Sequence, residues 1–374
     1  MIEPKYFYDL ALAHGTDFFA GVPDSLLKNF CAYITDNAPA EKHIISANEG
    51  SATALAAGYH FSTGKIPLIY MQNSGEGNMV NPLLSLADPD VYSVPMLILI
   101  GWRGEPGVHD EPQHVKQGKV TCDLLDAMKV PYQILSANPE DLEKQFDEAY
   151  SCIHKNSAPY AFVIRKDTFA AYTLKNNETV FGNMSREEAI EKIMLLADKK
   201  AAFVSTTGMA SRELYELREK HGMKHEKDFL TVGSMGHASQ IALAIAMQKP
   251  ERKIFCIDGD GATIMQMGGL ATIGTRAPKN LVHIVLNNGA HDSVGGQPTV
   301  ARKIDLCGIA KSCGYENVKK VETLDELENS LLNLENKLTF IEVIVKKGAR
   351  KDLGRPKTTP IENKEAFMKF LQEA

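Results

Sequence analysis

The chain has 374 residues, 44% hydrophobic and 24% charged, which suits a globular protein long enough for two domains of ordinary size. No apolar run nears the ~20 residues of a membrane-spanning helix, and a net charge of −6 speaks against nucleic acid as the main partner. The opening residues lack a basic-then-apolar secretory signal. The six cysteines include no Cys-x-x-Cys pair and several sit in apolar runs, so reduced thiols and a cytoplasmic location are expected.

The first half alternates strand and helix signals. Residues 17–21 form a short strand, and Asp24 or Ser25 caps a helix whose apolar face is Leu26, Leu27, Phe30, Tyr33 and Ile34. A strand at 43–45 leads into a small-residue helix over 48–61. Strands at 66–71, 96–100 and 160–164 continue the series. This order predicts an α/β fold with a mainly parallel sheet covered by helices on both faces.

Residues 171–184 are polar and aperiodic and are expected to link residues 1–170 to residues 185–374. Ser185 and Glu188 form a capping box. The alternation then repeats: strand 201–205, a helix from about 210, strand 229–232, a helix from 236, strand 253–257, a helix over 262–273 and strand 280–286. Helices near 304–313 and from 324 precede a last strand at 340–345. The segment 346–357 carries six basic residues and one acid, and is expected either to lie solvated or to close over a polyanion.

Gly259-Asp260-Gly261 follows one buried strand, and Asn287-Asn288 follows the next after 25 intervening residues. Parallel strands joined by a helix put both turns at the carboxyl edge of one sheet, so Asp260 and Asn288 can reach one cation. Gly259 and Gly261 let the backbone approach a phosphate, and Ala262 opens a helix whose amino end favours an anion. A calcium loop starting at Asp258 is excluded, because Ala262 and Thr263 stand where a ligand and a glycine are needed.

This spacing resembles the signature of thiamine-diphosphate enzymes. The resemblance implies that Asp260, Asn288 and the carbonyl of Ala290 hold Mg²⁺ against a diphosphate. Asn48-Glu49-Gly50 through Gly58-Tyr59 is similar to the pyrimidine-binding segment of that family. It implies that Glu49 hydrogen-bonds the aminopyrimidine ring. Gly233-Ser234-Met235-Gly236 resembles the segment in which a methionine bends the cofactor and a glycine carbonyl meets its amino group, which assigns Met235 and Gly233. Thr206 and Thr207 resemble a diphosphate-contacting loop.

The implied fold is two thiamine-diphosphate-binding α/β domains, pyrimidine-binding over 1–170 and diphosphate-binding over 185–374, with no middle domain. The segments 21–25, 72–78, 102–107, 110–114 and 295–299 resemble the decarboxylases of the family that act on phosphonate- or sulfonate-bearing 2-oxo acids. The implied activity is decarboxylation of 3-phosphonopyruvate to phosphonoacetaldehyde and carbon dioxide, in phosphonate biosynthesis. Sulfopyruvate decarboxylation, another 2-oxo acid decarboxylase or carboligase activity, and a noncatalytic cofactor-binding subunit are the alternatives.

The implied assembly is a homo-oligomer with active sites between chains, acting on a small anionic 2-oxo acid. Asp24, His109, His114 and His291 are candidate catalytic groups beside Glu49. Ser25, Asn73, Asn78 and Arg103 are candidates for holding the substrate.

Overall fold

A computed structural model describes residues 1–175 and 182–373. The chain divides into two compact units. One comprises Met1–Asn177 with His291–Gln297, the other Glu178–Ala290 with Pro298–Ala374. The expected linker at 171–184 therefore lies in part outside the described residues.

The first unit is a six-stranded sheet of β1 (Phe19–Gly21), β2 (His43–Ile45), β3 (Leu68–Gln72), β4 (Leu97–Gly101), β5 (Tyr132–Ile134) and β6 (Tyr160–Ile164), in the order β2-β1-β3-β4-β6-β5. All pairings are parallel. Its helices are α1 (Pro4–Ala13), α2 (Lys28–Asn37), α3 (Glu49–Thr63), α4 (Glu76–Pro82), α5 (Pro112–Ala127) and α6 (Pro139–Asn156). Successive strand side chains point to opposite faces, and both faces are apolar. Leu68, Tyr70, Leu97, Leu99, Phe162 and Ile164 pack with α1, α2 and α6. Ile69, Met71, Ile98, Ile100, Ala161 and Val163 pack with α3, α4 and α5. A sheet covered on both faces needs this continuous apolar run rather than alternation.

The second unit repeats the plan. Its strands are β7 (Ala202–Ser205), β8 (Asp228–Leu230), β9 (Ile254–Gly259), β10 (Leu281–Asn287), β11 (Asn317–Val321) and β12 (Thr339–Ile344), in the order β11-β12-β10-β9-β7-β8. These too are parallel. Its helices are α7 (Arg186–Leu196), α8 (Met209–Lys220), α9 (Ala238–Gln248), α10 (Asp260–Met265), α11 (Gly268–Arg276), α12 (Leu306–Cys313), α13 (Leu324–Leu332) and α14 (Pro360–Gln372). Numbered within its own unit and read from the β8 end, this sheet also runs 2-1-3-4-6-5. The two units thus share one topology, although no sequence repeat is visible beyond the alternation. In each, the chain reverses its direction of growth between the first and third strands, the place where open α/β sheets bind ligands.

Two local expectations are corrected. Asp24 and Ser25 do not cap a helix: α2 begins at Lys28, after a turn in which the Asp24 carboxylate accepts from the Leu26 N–H at 2.8 Å. The single helix over 262–273 is two, α10 and α11, because Gln266 leaves helical geometry ahead of the weak helix formers Gly268 and Gly269. The basic segment after 345 is largely solvated, as one of its two expectations has it, with Lys346, Arg350, Lys351, Arg355 and Lys357 exposed, and Arg350 is engaged within the chain. That guanidinium pairs with Glu187, Glu216 and Asp352, and the chain continues into capped α14, whose Phe367 and Phe370 are buried. The sequence reading also leaves out α1, α5, α6, β5 and β11. Helix α6 is nevertheless well signalled, with Asn138 as cap, Pro139 at its first position and Leu142, Phe146, Ala149, Tyr150 and Ile153 on one face.

Candidate active site

In the second unit β9 and β10 pair with Gly259 opposite Leu286. Asp260 and the Asn287-Asn288 pair therefore leave the sheet side by side at its carboxyl edge. Asp260 starts α10 and is 3% exposed. The side chain of Asn287 is structural: its amide donates to Glu342 Oε1 at 2.7 Å and its oxygen accepts from the Gly289 N–H at 3.0 Å. The buried Asn288 oxygen accepts from the Ala290 N–H at 3.0 Å; an amide oxygen has a second lone pair. Gly289 has φ +67, and a Cβ there would lie 2.4 Å from Arg302 Nε, so the turn between Asn288 and Ala290 requires glycine.

The donor types fit a hard cation. A carboxylate, an amide oxygen and a main-chain oxygen form an all-oxygen set, as Mg²⁺ prefers. The surroundings fit a diphosphate. A Cβ at Gly259 would meet no protein atom, so the space beside that backbone is open. The buried hydroxyls of Ser205, Thr231 and Thr263 have no hydrogen-bond partner among the described residues. Ser205 ends β7, Thr231 follows β8, and Thr263 lies in α10, the helix that follows β9.

Thr206 is buried, and the Thr207 hydroxyl accepts from the Gly233 N–H at 3.0 Å. Met235 is half-buried in the turn before α9. Thr231 and Thr263 carry no spacing signal that singles them out in the sequence, whereas Ser205 and Thr299 fall within segments that resemble the family without being marked as site residues.

Beneath Gly259, buried Asp258 accepts from the Gly259 N–H at 2.9 Å and meets His283 Nε2 at 3.3 Å, while His283 Nδ1 meets the Tyr315 hydroxyl at 3.1 Å. Cys256 lies close by, and burial raises its thiol well above the usual range. These groups satisfy one another, so the cluster braces the strand end rather than forming a second metal centre.

In the first unit Glu49 occupies the first turn of α3, where the helix dipole favours its charge. Asn48 caps that helix by accepting from the Ser51 N–H at 2.9 Å. The Glu49 carboxylate is enclosed: Asn78 Nδ2 donates to Oε2 at 2.7 Å, and a Cβ on Gly75 would lie 2.4 Å from Oε1. The turn 73–78 thus wraps the acid. Beside it Glu76 is buried with Oε1 unpartnered among the described residues. Burial pushes its carboxyl up to about 8, against an opposing hydrogen bond from Thr121.

A polar cluster spans the carboxyl ends of β1, β3 and β4. Buried Asp24 accepts from Gln72 Nε2 at 2.6 Å. Arg103 donates through Nη1 to the Ser25 hydroxyl at 2.8 Å and through Nε to Asp110 Oδ2 at 2.8 Å, with a second, shorter contact to Asp110. The Arg103 charge and two backbone N–H groups hold the Asp110 carboxyl well below the carboxylate range despite its partial burial. His114 is buried with Nδ1 unpartnered among the described residues. Burial, reinforced by Arg103, lowers its pKa, so the imidazole is neutral near pH 7.

Asp24, Ser25, Arg103 and His114 are thus brought to one edge of the sheet. Gln72, which the sequence also offers as a residue that could orient the substrate, and Asp110, which it does not single out, join them. The structure places three further candidates. Asn73 is buried with its amide nitrogen on the Arg103 carbonyl (2.8 Å) and the Thr121 hydroxyl (2.9 Å) and its oxygen on the Arg103 N–H (3.2 Å). It braces β3 to β4 and α5. His109 is exposed. His291 closes the 291–297 loop by donating its N–H to the Gln297 carbonyl, and burial lowers its imidazole to about 4.

Two family models match the chain. The N-terminal TPP binding domain of thiamine pyrophosphate enzymes matches residues 4–127, and the C-terminal TPP binding domain of the same enzymes matches residues 205–343. A phosphonopyruvate decarboxylase of Streptomyces viridochromogenes is 35% identical over 96% of this chain and 92% of its own length. One of Streptomyces hygroscopicus is 35% identical over 96% and 91%. A sulfopyruvate decarboxylase of Methanosarcina acetivorans is 30% identical over 89% of each.

Proposed function

The chain belongs to the thiamine pyrophosphate enzymes, and from that premise we propose that it is a lyase that decarboxylates 3-phosphonopyruvate to phosphonoacetaldehyde and carbon dioxide, within phosphonate biosynthesis. The observation that carries the cofactor reading is the all-oxygen set of Asp260, Asn288 and Ala290 beside open space and unpartnered hydroxyls. Asp260, Asn288 and the Ala290 carbonyl hold Mg²⁺. Gly259, Gly261, Ala262, Thr206, Thr207 and Gly233 would contact the cofactor, and Met235 would pack against it.

When bound, thiamine diphosphate supplies the carbon nucleophile and the electron sink that loss of carbon dioxide requires. The protein supplies position and protons. Glu49 holds a proton against the aminopyrimidine ring, and Asn78 orients the carboxyl that does so. Asp24 and Gln72 face the reacting end of the substrate. Arg103, fixed by Asp110 and Ser25, faces the anionic phosphonate end. Neutral His114 has a ring nitrogen available to carry a proton to or from the substrate carbon.

The active unit is a homo-oligomer in which two copies complete each site, and the enzyme is cytoplasmic. The free state of all six cysteines and the lack, among the described residues, of a helix long and apolar enough to cross a membrane are compatible with that location. Similarity to the Methanosarcina protein favours sulfopyruvate as the second reading. The test is carbon dioxide release from phosphonopyruvate, sulfopyruvate and pyruvate at equal concentration with thiamine diphosphate and Mg²⁺. The highest kcat/KM is expected for phosphonopyruvate; preference for sulfopyruvate overturns the assignment.

A further inference from the structure

Thr299 lies well outside both halves of the Asp260/Asn288 motif in sequence, yet it touches both in the fold. Its hydroxyl donates to Asp260 Oδ2. Its N–H donates to the Gly289 carbonyl at 3.0 Å. The preceding residue, Pro298, forms an antiparallel bridge with Ala290, and that bridge is flanked by the His291 N–H to Gln297 carbonyl bond (2.9 Å) on its other side. Residues facing each other between two such bonds form a non-hydrogen-bonded pair, so the N–H and C=O of Ala290 point away from the opposite strand. Proline has no N–H, so position 298 loses nothing by standing there.

The hydroxyl's direction is fixed as well. Thr299 caps the short turn Val300–Lys303 by accepting from the Ala301 N–H at 3.3 Å, so its single proton is left for the Asp260 carboxylate.

We propose that Thr299 is the positioning residue of the cation site, tying the Asp260 carboxylate to the turn that presents the Ala290 carbonyl. This rests on reading Asp260, Asn288 and Ala290 as Mg²⁺ ligands. Groups that orient metal ligands change metal affinity about 10- to 100-fold when removed. The effect is sharpest for Mg²⁺, which demands near-ideal octahedral geometry, and smaller for Ca²⁺, whose coordination is flexible.

The experiment compares the parent chain with T299V, T299S and T299A, and with D260A as control. Calorimetric titration of thiamine diphosphate at a series of Mg²⁺ or Ca²⁺ concentrations gives the cation midpoint without reference to turnover. T299V is expected to raise the Mg²⁺ midpoint about tenfold, with a smaller rise for Ca²⁺, while T299S stays within about threefold of the parent. An unchanged Mg²⁺ midpoint in T299V, with cation dependence lost in D260A, overturns the role of Thr299. Unchanged cation dependence in D260A overturns the underlying ligand reading instead. If T299V does not fold, the comparison of T299A with T299S decides: equal midpoints overturn the proposal, and a higher midpoint in T299A supports it.

Discussion

Asn78 Nδ2 donates to Glu49 Oε2 at 2.7 Å, from a side chain that is itself exposed. The bond crosses from the amino end of α4 to that of α3, so a surface residue fixes the rotamer of a buried acid. A hydrogen bond to a charged group contributes about 1.5–3 kcal/mol. Asn78→Ala is therefore expected to lower kcat about 10- to 100-fold and to leave the melting temperature nearly unchanged. Steady-state kinetics with a thermal melt checks both, and parental kcat removes Asn78 from the site.

Gly75 stands where the Glu49 carboxylate needs room. A methyl group there would have to displace Glu49 or the 73–78 turn, since the clash is with the acid itself. Gly75→Ala is expected to cost at least as much kcat as Asn78→Ala, with thiamine diphosphate affinity retained within about threefold. A fully active Gly75→Ala enzyme would show that the enclosed position of Glu49 is not its working one.

Glu49→Gln keeps the shape and the contact with Asn78 but loses the ionisable proton. Calorimetry is expected to show most of the cofactor affinity, and the decarboxylation assay little turnover. The two measurements together separate proton chemistry from binding.

Burial raises the Glu76 carboxyl from its unfolded value of 4.5 to about 8. Below the lower value both states are protonated and stability is unaffected. Between the two, the unfolded chain releases a proton that the folded chain retains, so stability falls as pH rises, and the loss is complete above about 8. Glu76→Gln removes this dependence. Its advantage over the parent in urea unfolding should be near zero at about pH 4, grow through neutrality and level off by about pH 9, reaching a few kcal/mol. An advantage independent of pH would place the titration elsewhere.

Arg218 on α8 meets Asp228 on β8 through Nε at 2.9 Å and Nη2 at 2.8 Å, and both side chains are buried. Burial raises the Asp228 carboxyl, with the guanidinium opposing that rise. Removing one partner strands the other in a low-dielectric interior. Arg218→Ala is expected to lower unfolding free energy by about 3–5 kcal/mol, whereas the paired replacement Arg218→Met with Asp228→Leu recovers much of the loss. Urea midpoints of the single and paired variants decide the matter.

Much of the site was legible because its chemistry is local. The Gly259-Asp260-Gly261 turn, the Asn287-Asn288 pair and Asn48-Glu49 each follow or precede an element whose pattern marks its end. What stayed hidden depends on contacts between distant segments. Asn73 reads as a polar turn residue until Arg103 and Thr121 are seen to occupy its amide. Arg103 reads as a residue to hold the substrate, and only the fold shows that Asp110 engages its Nε and Nη2. His109 and His114 are equivalent as letters and differ only in that one is exposed and the other enclosed.

The sequence by itself determined the α/β character, the parallel sheets and the two turns that carry Asp260 and Asn288 at one sheet edge, because hydrophobic period and turn chemistry act over a few residues. Only the tertiary structure decided that both sheets run in the order 2-1-3-4-6-5, that Asp24 sits in a turn rather than on a helix cap, and that Thr299 reaches Asp260. Strand order and side-chain partners are set by which apolar faces bury together across the whole chain, and no local window of sequence contains that information.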